Sequence, residues 1–271
     1  MISSFACVIN LIKKCQQYVM ESVDEPKYDD NWPEGPPSTK SGVMFTSEDI
    51  AHLVGMPVGD FGLYVTAFSY NPVLEGGETF ERLEFLGDSV LGFLIAKYLY
   101  DTFPGKNEGI LTRIRVKFVS GKFLSKLALN LGLHNYIIMS QKGLYRGWNT
   151  NPKILEDAFE ALIGAIYLDG GINAAKQFFM TTLARHANIQ ELLIDSNHKD
   201  RLAKHCRRLS LGRPEFVIQF ERGGANSLFI VGVHVDGNKF AEGSGTTRKD
   251  AEQDACNNAL LHMGIGNEYI S

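Results

Sequence analysis

Residues 81–91, ERLEFLGDSVL, and residues 154–171, ILEDAFEALIGAIYLDGG, decide how this chain is read. In the first, Leu83, Phe85, Leu86, Val90 and Leu91 continue into Phe93, Leu94 and Ile95, apolar nearly all round a helix axis. In the second, Ile154, Leu155, Phe159, Leu162, Ile163, Ile166 and Leu168 do the same. A helix that is hydrophobic on every side is buried. Ionised carboxylates in such a helix are costly unless they are paired or bind metal. Yet Glu84 with Asp88, and Asp157 with Glu160, sit inside these segments. Residues four apart lie about 40° from one another around a helix, and residues three apart about 60°. Each pair therefore leaves one face, and two such helices crossing would gather four carboxylates at one point. That donor set suits a hard divalent cation. A solvated surface stripe is the ordinary reading of two acids four apart, but it does not account for the same oddity in two apolar segments. Glu156, about 100° around the helix from Asp157, reads as a solvent-facing neighbour.

Working outward, 271 residues allow a sizeable core and two domains. The 44% hydrophobic and 21% charged composition reads as soluble and globular, and the longest apolar stretches fall far short of a membrane span. Met1 to Met20 is mildly amphipathic, without a leading basic region or a clean cleavage site, so a secretory signal is not expected. Cys7, Cys15, Cys206 and Cys256 lack metal-ligand spacing and read as reduced thiols of an intracellular, cytoplasmic protein. The net charge of −4 does not exclude a nucleic-acid partner. Residues 196–271 hold 10 Lys and Arg against 9 Asp and Glu, so the deficit lies in residues 1–195, where carboxylates awaiting cations account for part of it.

Residues 1–42, rich in Pro, Asp, Glu, Ser and Gly from Glu21 to Gly42, read as a flexible extension without a core of its own. Residues 43–195 follow the helical period. Helices are expected from Ser47 as cap through Leu53, about Thr79–Asp101, Gly109–Ser120 and Lys122–Leu131, then one opened by Pro152 and stopped by Asp169-Gly170-Gly171, and a last one over Ile172–His186. No strand signal interrupts them, so this region is expected to be all-α. Residues 196–266 change character. A helix over Lys199–Leu209, strands at Glu215–Glu221, Leu228–Val235 and Asn238–Gly243, and an Ala-rich helix over Thr246–Met263 predict a small α-β-β-β-α domain.

ERLEFLGDSVLGFLIAKYLY, the EGILTRIR segment and ILEDAFEALIGAIYLDGG together resemble the ribonuclease III endonuclease domain, and the tail ending GSGTTRKDAEQDAC resembles a double-stranded RNA-binding domain. The resemblance covers about residues 46–264. It implies an all-α endonuclease domain that dimerises, a Mg²⁺ site for which Mn²⁺ can substitute, and hydrolysis of both strands of duplex RNA with short 3′ overhangs. Residue by residue, Glu84, Asp88, Asp157 and Glu160 match the family's four metal-site acids, with Asp88 and Glu160 carrying the catalysis. Glu81 and Glu108 match two further acids at its edge, where ligand, supporting and surface roles stay open. Phe85 matches a residue that plugs a socket on the partner subunit; an ordinary core position is the other reading. Arg248 and Lys249, at the start of the last helix, read as a phosphate clamp on A-form RNA.

The basic stretch Arg113, Arg115, Lys117, Lys122 and Lys126, and the loop residues Lys142, Arg146 and Trp148, are open between RNA contact and plain surface. Three departures from the family pattern stand out. Thr66-Ala67-Phe68-Ser69-Tyr70 lacks a His-Arg pair; Ala203 and Lys204 replace polar and acidic groove readers; and the loop from Gly223 to Ser227 lacks Pro and His. They imply altered RNA binding by the tail, resting chiefly on Arg248 and Lys249. The competing reading is a catalytically inactive protein that binds or sequesters double-stranded RNA. Such a relative would be expected to lose one or more of the four acids, and all four are present.

Overall fold

The computed structural model describes residues 45–70, 80–224, 227–266 and 270, so the extension expected over residues 1–42 lies outside it. The chain divides into two compact units, the first ending at Leu193 and the second running from Ile194 to Ile270.

The first unit is built from α1 (Ser47–Val54), α2 (Phe61–Phe68), α3 (Glu81–Thr102), α4 (Glu108–Phe118), α5 (Gly121–Asn130), α6 (Gln141–Tyr145), α7 (Pro152–His186) and α8 (Ile189–Leu193). Its described residues hold no strand, only a single parallel bridge between Ser69 and Ile138. Thr46, rather than Ser47, caps α1. Its Oγ1 accepts from the Asp49 N–H at 3.2 Å while Asp49 Oδ2 accepts from the Thr46 N–H at 2.7 Å, a reciprocal box that satisfies two otherwise orphan donors. Asn107 and Asn151 open α4 and α7 with the same kind of side-chain bond, and Pro152 occupies the first turn of α7. The loop expected over Ser140–Asn151 contains α6 and a 3-10 turn at Trp148–Thr150.

Asp169-Gly170-Gly171 ends the first helical run where a stop was expected, as a kink between two helices within α7. Gly171 takes φ 76° and ψ −176°, a region essentially closed to other residues, and α7 resumes beyond it. Asp169 fastens that kink: its carboxylate accepts from Gly59 N at 3.0 Å, Asp60 N at 2.8 Å and the Tyr64 hydroxyl at 2.9 Å. Burial tends to raise the Asp169 pKa, and these three bonds outweigh it, leaving the carboxyl below its ordinary value.

Leu155, Phe159, Leu162, Ile163 and Ile166 of α7 are buried, and α7 packs against α2, α3 and α5. Each such side chain contributes about 1.5–3 kcal/mol by leaving water. In the departing run, Ala67 and Phe68 are buried, and Phe68 packs on Phe45 and Tyr136 at 5.6 and 5.5 Å. The apolar pair is core filling. The closest approach is between α3 and α7. A Cβ at Gly87 would overlap the Glu160 carbonyl oxygen, and one at Gly164 would overlap the Leu83 carbonyl oxygen. Two glycines thus let the backbones of the acidic helices touch.

The second unit runs α9 (His198–Arg208), β1 (Glu215–Arg222), β2 (Leu228–Val235), β3 (Asn238–Gly245) and α10 (Arg248–His262). The strands form an antiparallel sheet in the order β1-β2-β3. Asp236 and Gly237, both at positive φ, make the tight β2–β3 turn. Leu202, Cys206, Val233, Val235, Ala255, Cys256 and Leu260 form the core, where both cysteines are free thiols. Gly243 and Gly245 lie against the α10 backbone at Ala255 and Ala251, so this glycine pair seats the helix on β3. Among the described residues, no helix is long and apolar enough to cross a membrane.

Candidate active site

The α3–α7 contact fixes where the acids meet. Glu84 lies three residues before Gly87 on α3, and Glu160 itself lends the carbonyl oxygen that Gly87 accommodates. Glu84 is half-buried, whereas Asp157 and Glu160 are each only 7% exposed. One oxygen from each of the three lies within 4.8 Å of the other two. Ligands of one Mg²⁺ stand roughly 3–4 Å apart, since each is about 2.1 Å from the ion. The side chains therefore need to close by only about an ångström or so to share one cation.

Their electrostatics show what the arrangement lacks. Burial pushes Glu160 up to about 8, and the negative charges of Asp88, Glu156 and Glu84 push in the same direction. Glu84 is also raised, first by burial and then by the Asp157 charge. Three acids crowded in a poorly solvated crossing repel one another, and a bound cation would reverse that penalty. A partial answer comes from within the chain. Lys153 Nζ stands 2.5 Å from Asp157 Oδ1 and 3.8 Å from Glu84 Oε1, with 65% of its side chain exposed. Sequence reading passed over this lysine, although its place one turn before Asp157 on the same helix was a usable signal.

The expected set is only partly gathered. Asp88, one turn beyond Glu84, is exposed and outside the close trio, though its charge reaches Glu160. Glu81 is exposed and acts on Glu84 through its charge. Glu108 is exposed in the first turn of α4, accepts from Thr112 Oγ1 at 3.0 Å, and is not in the trio. Glu156 differs from its expected solvent-facing place. It is half-buried, its carboxylate against Gly121 at the start of α5, where a helix N-terminus favours negative charge.

Phe85 is 79% exposed, which removes the core reading for it in the single chain. Phe93 and Tyr100 are also exposed on α3, within about 80° of arc of Phe85. In the second unit, Arg248 and Lys249 open α10 and are exposed, with Thr247 as the cap. In the loop before α7, Arg146 stacks over the Trp148 ring at 5.7 Å.

A helical unit with acids collected at a two-glycine crossing, joined to an α-β-β-β-α unit with cations at a helix start, combines a candidate cation site with a candidate phosphate-binding surface. Comparison with known proteins is specific on this point. Residues 81–171 match the Ribonuclease III domain, and residues 198–263 match the Double-stranded RNA binding motif. The chain is 36% identical over 206 residues to Ribonuclease 3 of Chlorobium luteolum, covering 73% of this chain and 75% of that one. It is 66% identical over 250 residues to Putative protein A464R of Paramecium bursaria Chlorella virus 1, covering 92% and 91%. The nuclease domain of ribonuclease III from Campylobacter jejuni aligns over 52% of this chain and 98% of its own, at 33% identity and a TM-score of 0.49. The chain belongs to the ribonuclease III family and is a ribonuclease III-type endonuclease carrying a double-stranded RNA-binding motif.

Proposed function

We propose that this chain hydrolyses the phosphodiester bonds of duplex RNA in a Mg²⁺-dependent reaction, with Mn²⁺ as a substitute, acts as a homodimer, and leaves short 3′ overhangs. The observation that carries the reading is the trio Glu84, Asp157 and Glu160, three oxygens within 4.8 Å at a largely buried helix crossing. The donor set fits a hard divalent ion, because all three ligands are carboxylate oxygens and two of the acids are pushed towards protonation without one. Bound there, the ion supplies Lewis-acid chemistry, lowering the pKa of water and neutralising charge at the cleaved phosphate.

The chain's own groups then have separable tasks. Glu84, Asp157 and Glu160 hold the ion. Asp88, on the solvent side of the same face, orients the attacking water and receives its proton. Lys153 presents an exposed ammonium at the rim of the cluster, where an RNA phosphate can exchange for its carboxylate partners. Glu81, exposed on the preceding turn, adds negative charge beside Glu84 and so strengthens the pull of the site on a cation. Residues 43–195 form the cutting domain and residues 196–266 the RNA-binding domain, in which Arg248 and Lys249 contact phosphate. Selectivity is for A-form shape, because the RNA major groove is too deep and narrow for side chains to read. The free, buried Cys206 and Cys256 support an intracellular setting.

The test uses long duplex RNA, protein and Mg²⁺, with products sized and their ends sequenced. Unaltered chain should give short duplexes with 3′ overhangs. Asp157→Asn and Glu160→Gln should each abolish cutting and also lose the rise in melting temperature that Mg²⁺ gives the unaltered chain. Cleavage by both variants would remove the site assignment.

A further inference from the structure

Glu252 lies on α10, one turn after Arg248, and is 8% exposed although it is a carboxylate. Its two oxygens are shared between two elements. Oε1 accepts from Arg248 Nε at 2.9 Å, on its own helix, and Oε2 accepts from Lys199 Nζ at 2.6 Å, from α9. Lys199 is held at both ends. Its backbone N–H donates to Gln253 Oε1 at 3.2 Å, and its ammonium lies 4.4 Å from the centroid of the Phe216 ring on β1. Gln253 in turn donates to Asn197 Oδ1 at 3.4 Å. One carboxylate therefore joins α9 to α10 and holds two cations beside the start of a helix whose first backbone N–H groups have no partner within it.

We propose that Glu252 is a positioning residue for duplex RNA, holding the Arg248 guanidinium and the Lys199 ammonium side by side as one grip on a backbone phosphate. The inference rests on the duplex-RNA reading above and adds Lys199 to the binding set. Arg248 spends its Nε on Glu252, and among the described residues no second partner engages its terminal nitrogens. A guanidinium matches carboxylate and phosphate with the same fork. The two cations that one carboxylate spans from the protein side are thus spaced for one phosphate on the solvent side. Lys199 is 35% and Arg248 57% exposed at the side chain, against 10% for Glu252, so the anion lies beneath and the cations above. Ordering two long cationic side chains is a cost of binding that the fold has already met.

Charge counting and positioning disagree, which makes the claim testable. Removing the Glu252 charge raises the local net charge from +1 to +2, so bulk electrostatics calls for tighter RNA binding. Positioning calls for weaker binding. The measurement is affinity of the full chain for a duplex of about 20 base pairs, in chelator to prevent cutting, across roughly 0.05–0.2 M salt. Glu252→Gln should weaken binding by roughly fivefold near 0.15 M salt, the value of one positioned phosphate contact, and flatten the salt slope. Equal or tighter binding with an unchanged or steeper slope overturns the proposal. Lys199→Met keeps the apolar stem over Phe216 and removes the ammonium, and should lower the salt slope by about one. An unchanged slope in that variant overturns the proposal even if Glu252→Gln fails to fold. No binding by the unaltered chain would overturn the duplex-RNA reading itself, and this inference with it.

Discussion

Lys153 is the residue whose two partners assign it two opposed effects. It neutralises Asp157 and Glu84, so it competes with any cation those acids would bind. It is also exposed, so it can turn towards a phosphate once that cation arrives. Lys153→Ala should therefore bind Mg²⁺ at least as tightly as the unaltered chain yet cleave duplex RNA roughly 10²-fold more slowly at saturating Mg²⁺, the usual loss of one positioned transition-state donor. Full cleavage at saturating metal would reduce the lysine to a placeholder. Asp169 makes a separate case, far from the chemistry. Its pKa lies below the ordinary carboxylate value because bonds from Gly59, Asp60 and Tyr64 outweigh its burial. The stability it adds is therefore present above the unfolded pKa and fades as pH falls through the depressed folded value. Asp169→Asn puts a donor where donors already point and should cost about 2 kcal/mol at pH 7. That difference should shrink as pH drops below about 4. Urea unfolding at several pH values measures it, and a gap that stays constant into acid would contradict the account.

At the scale of elements, the approach of α3 and α7 decides whether a site exists. Gly87→Ala places a methyl group on the Glu160 carbonyl, which is backbone and cannot swing aside. The helices must part, at a cost of about 3 kcal/mol or more, and the parting falls on the acids that should share one ion. Gly87→Ala should melt earlier and lose the Mg²⁺-induced rise in melting temperature; a variant that keeps both would show that the crossing tolerates separation. This contact also marks the limit of what the sequence made legible. Acids in all-apolar helices signalled a metal site, because burial and charge are each readable from spacing. The same pattern located both helices to within two residues, and alternation located the strands. The partner of Gly87 was not readable, because a glycine in a helix does not say which distant carbonyl it makes room for. Glu156 was misplaced for a related reason: single-helix geometry put it away from Asp157, but α5 closes over that side. Helix α2 went unread because FGLYVTAF is apolar without a polar face, and its boundary is set by the Asp60 cap. Position 219 of β1 is similar, since the bulge between Ile218 and Phe220 shifts the register in a strand whose alternation looks regular.

At the scale of the whole molecule, one chain presents one carboxylate trio among its described residues, while cutting both strands of a duplex needs two sites. In the proposed homodimer, helix α3 is the element on which a second copy would dock. Phe85, Phe93 and Tyr100 are 79%, 59% and 71% exposed, and large aromatic side chains left in water along one face mark an interaction surface. Phe85 directly follows Glu84, so the same turn of helix that directs an acid into the crossing directs an aromatic group outward. A pair joined through this face would carry two acid clusters at a spacing fixed by α3 itself. Replacing Phe85 with Asp should remove a buried anchor worth about 2 kcal/mol or more, raising the dimer dissociation constant at least roughly 30-fold. Light scattering on a dilution series should find the unaltered chain dimeric and Phe85→Asp monomeric. Cleavage should fall with the dimer fraction, while the Mg²⁺-induced rise in melting temperature persists, since the acids lie on another face. An unchanged dimer mass in Phe85→Asp would mean that the second strand is reached through some other surface.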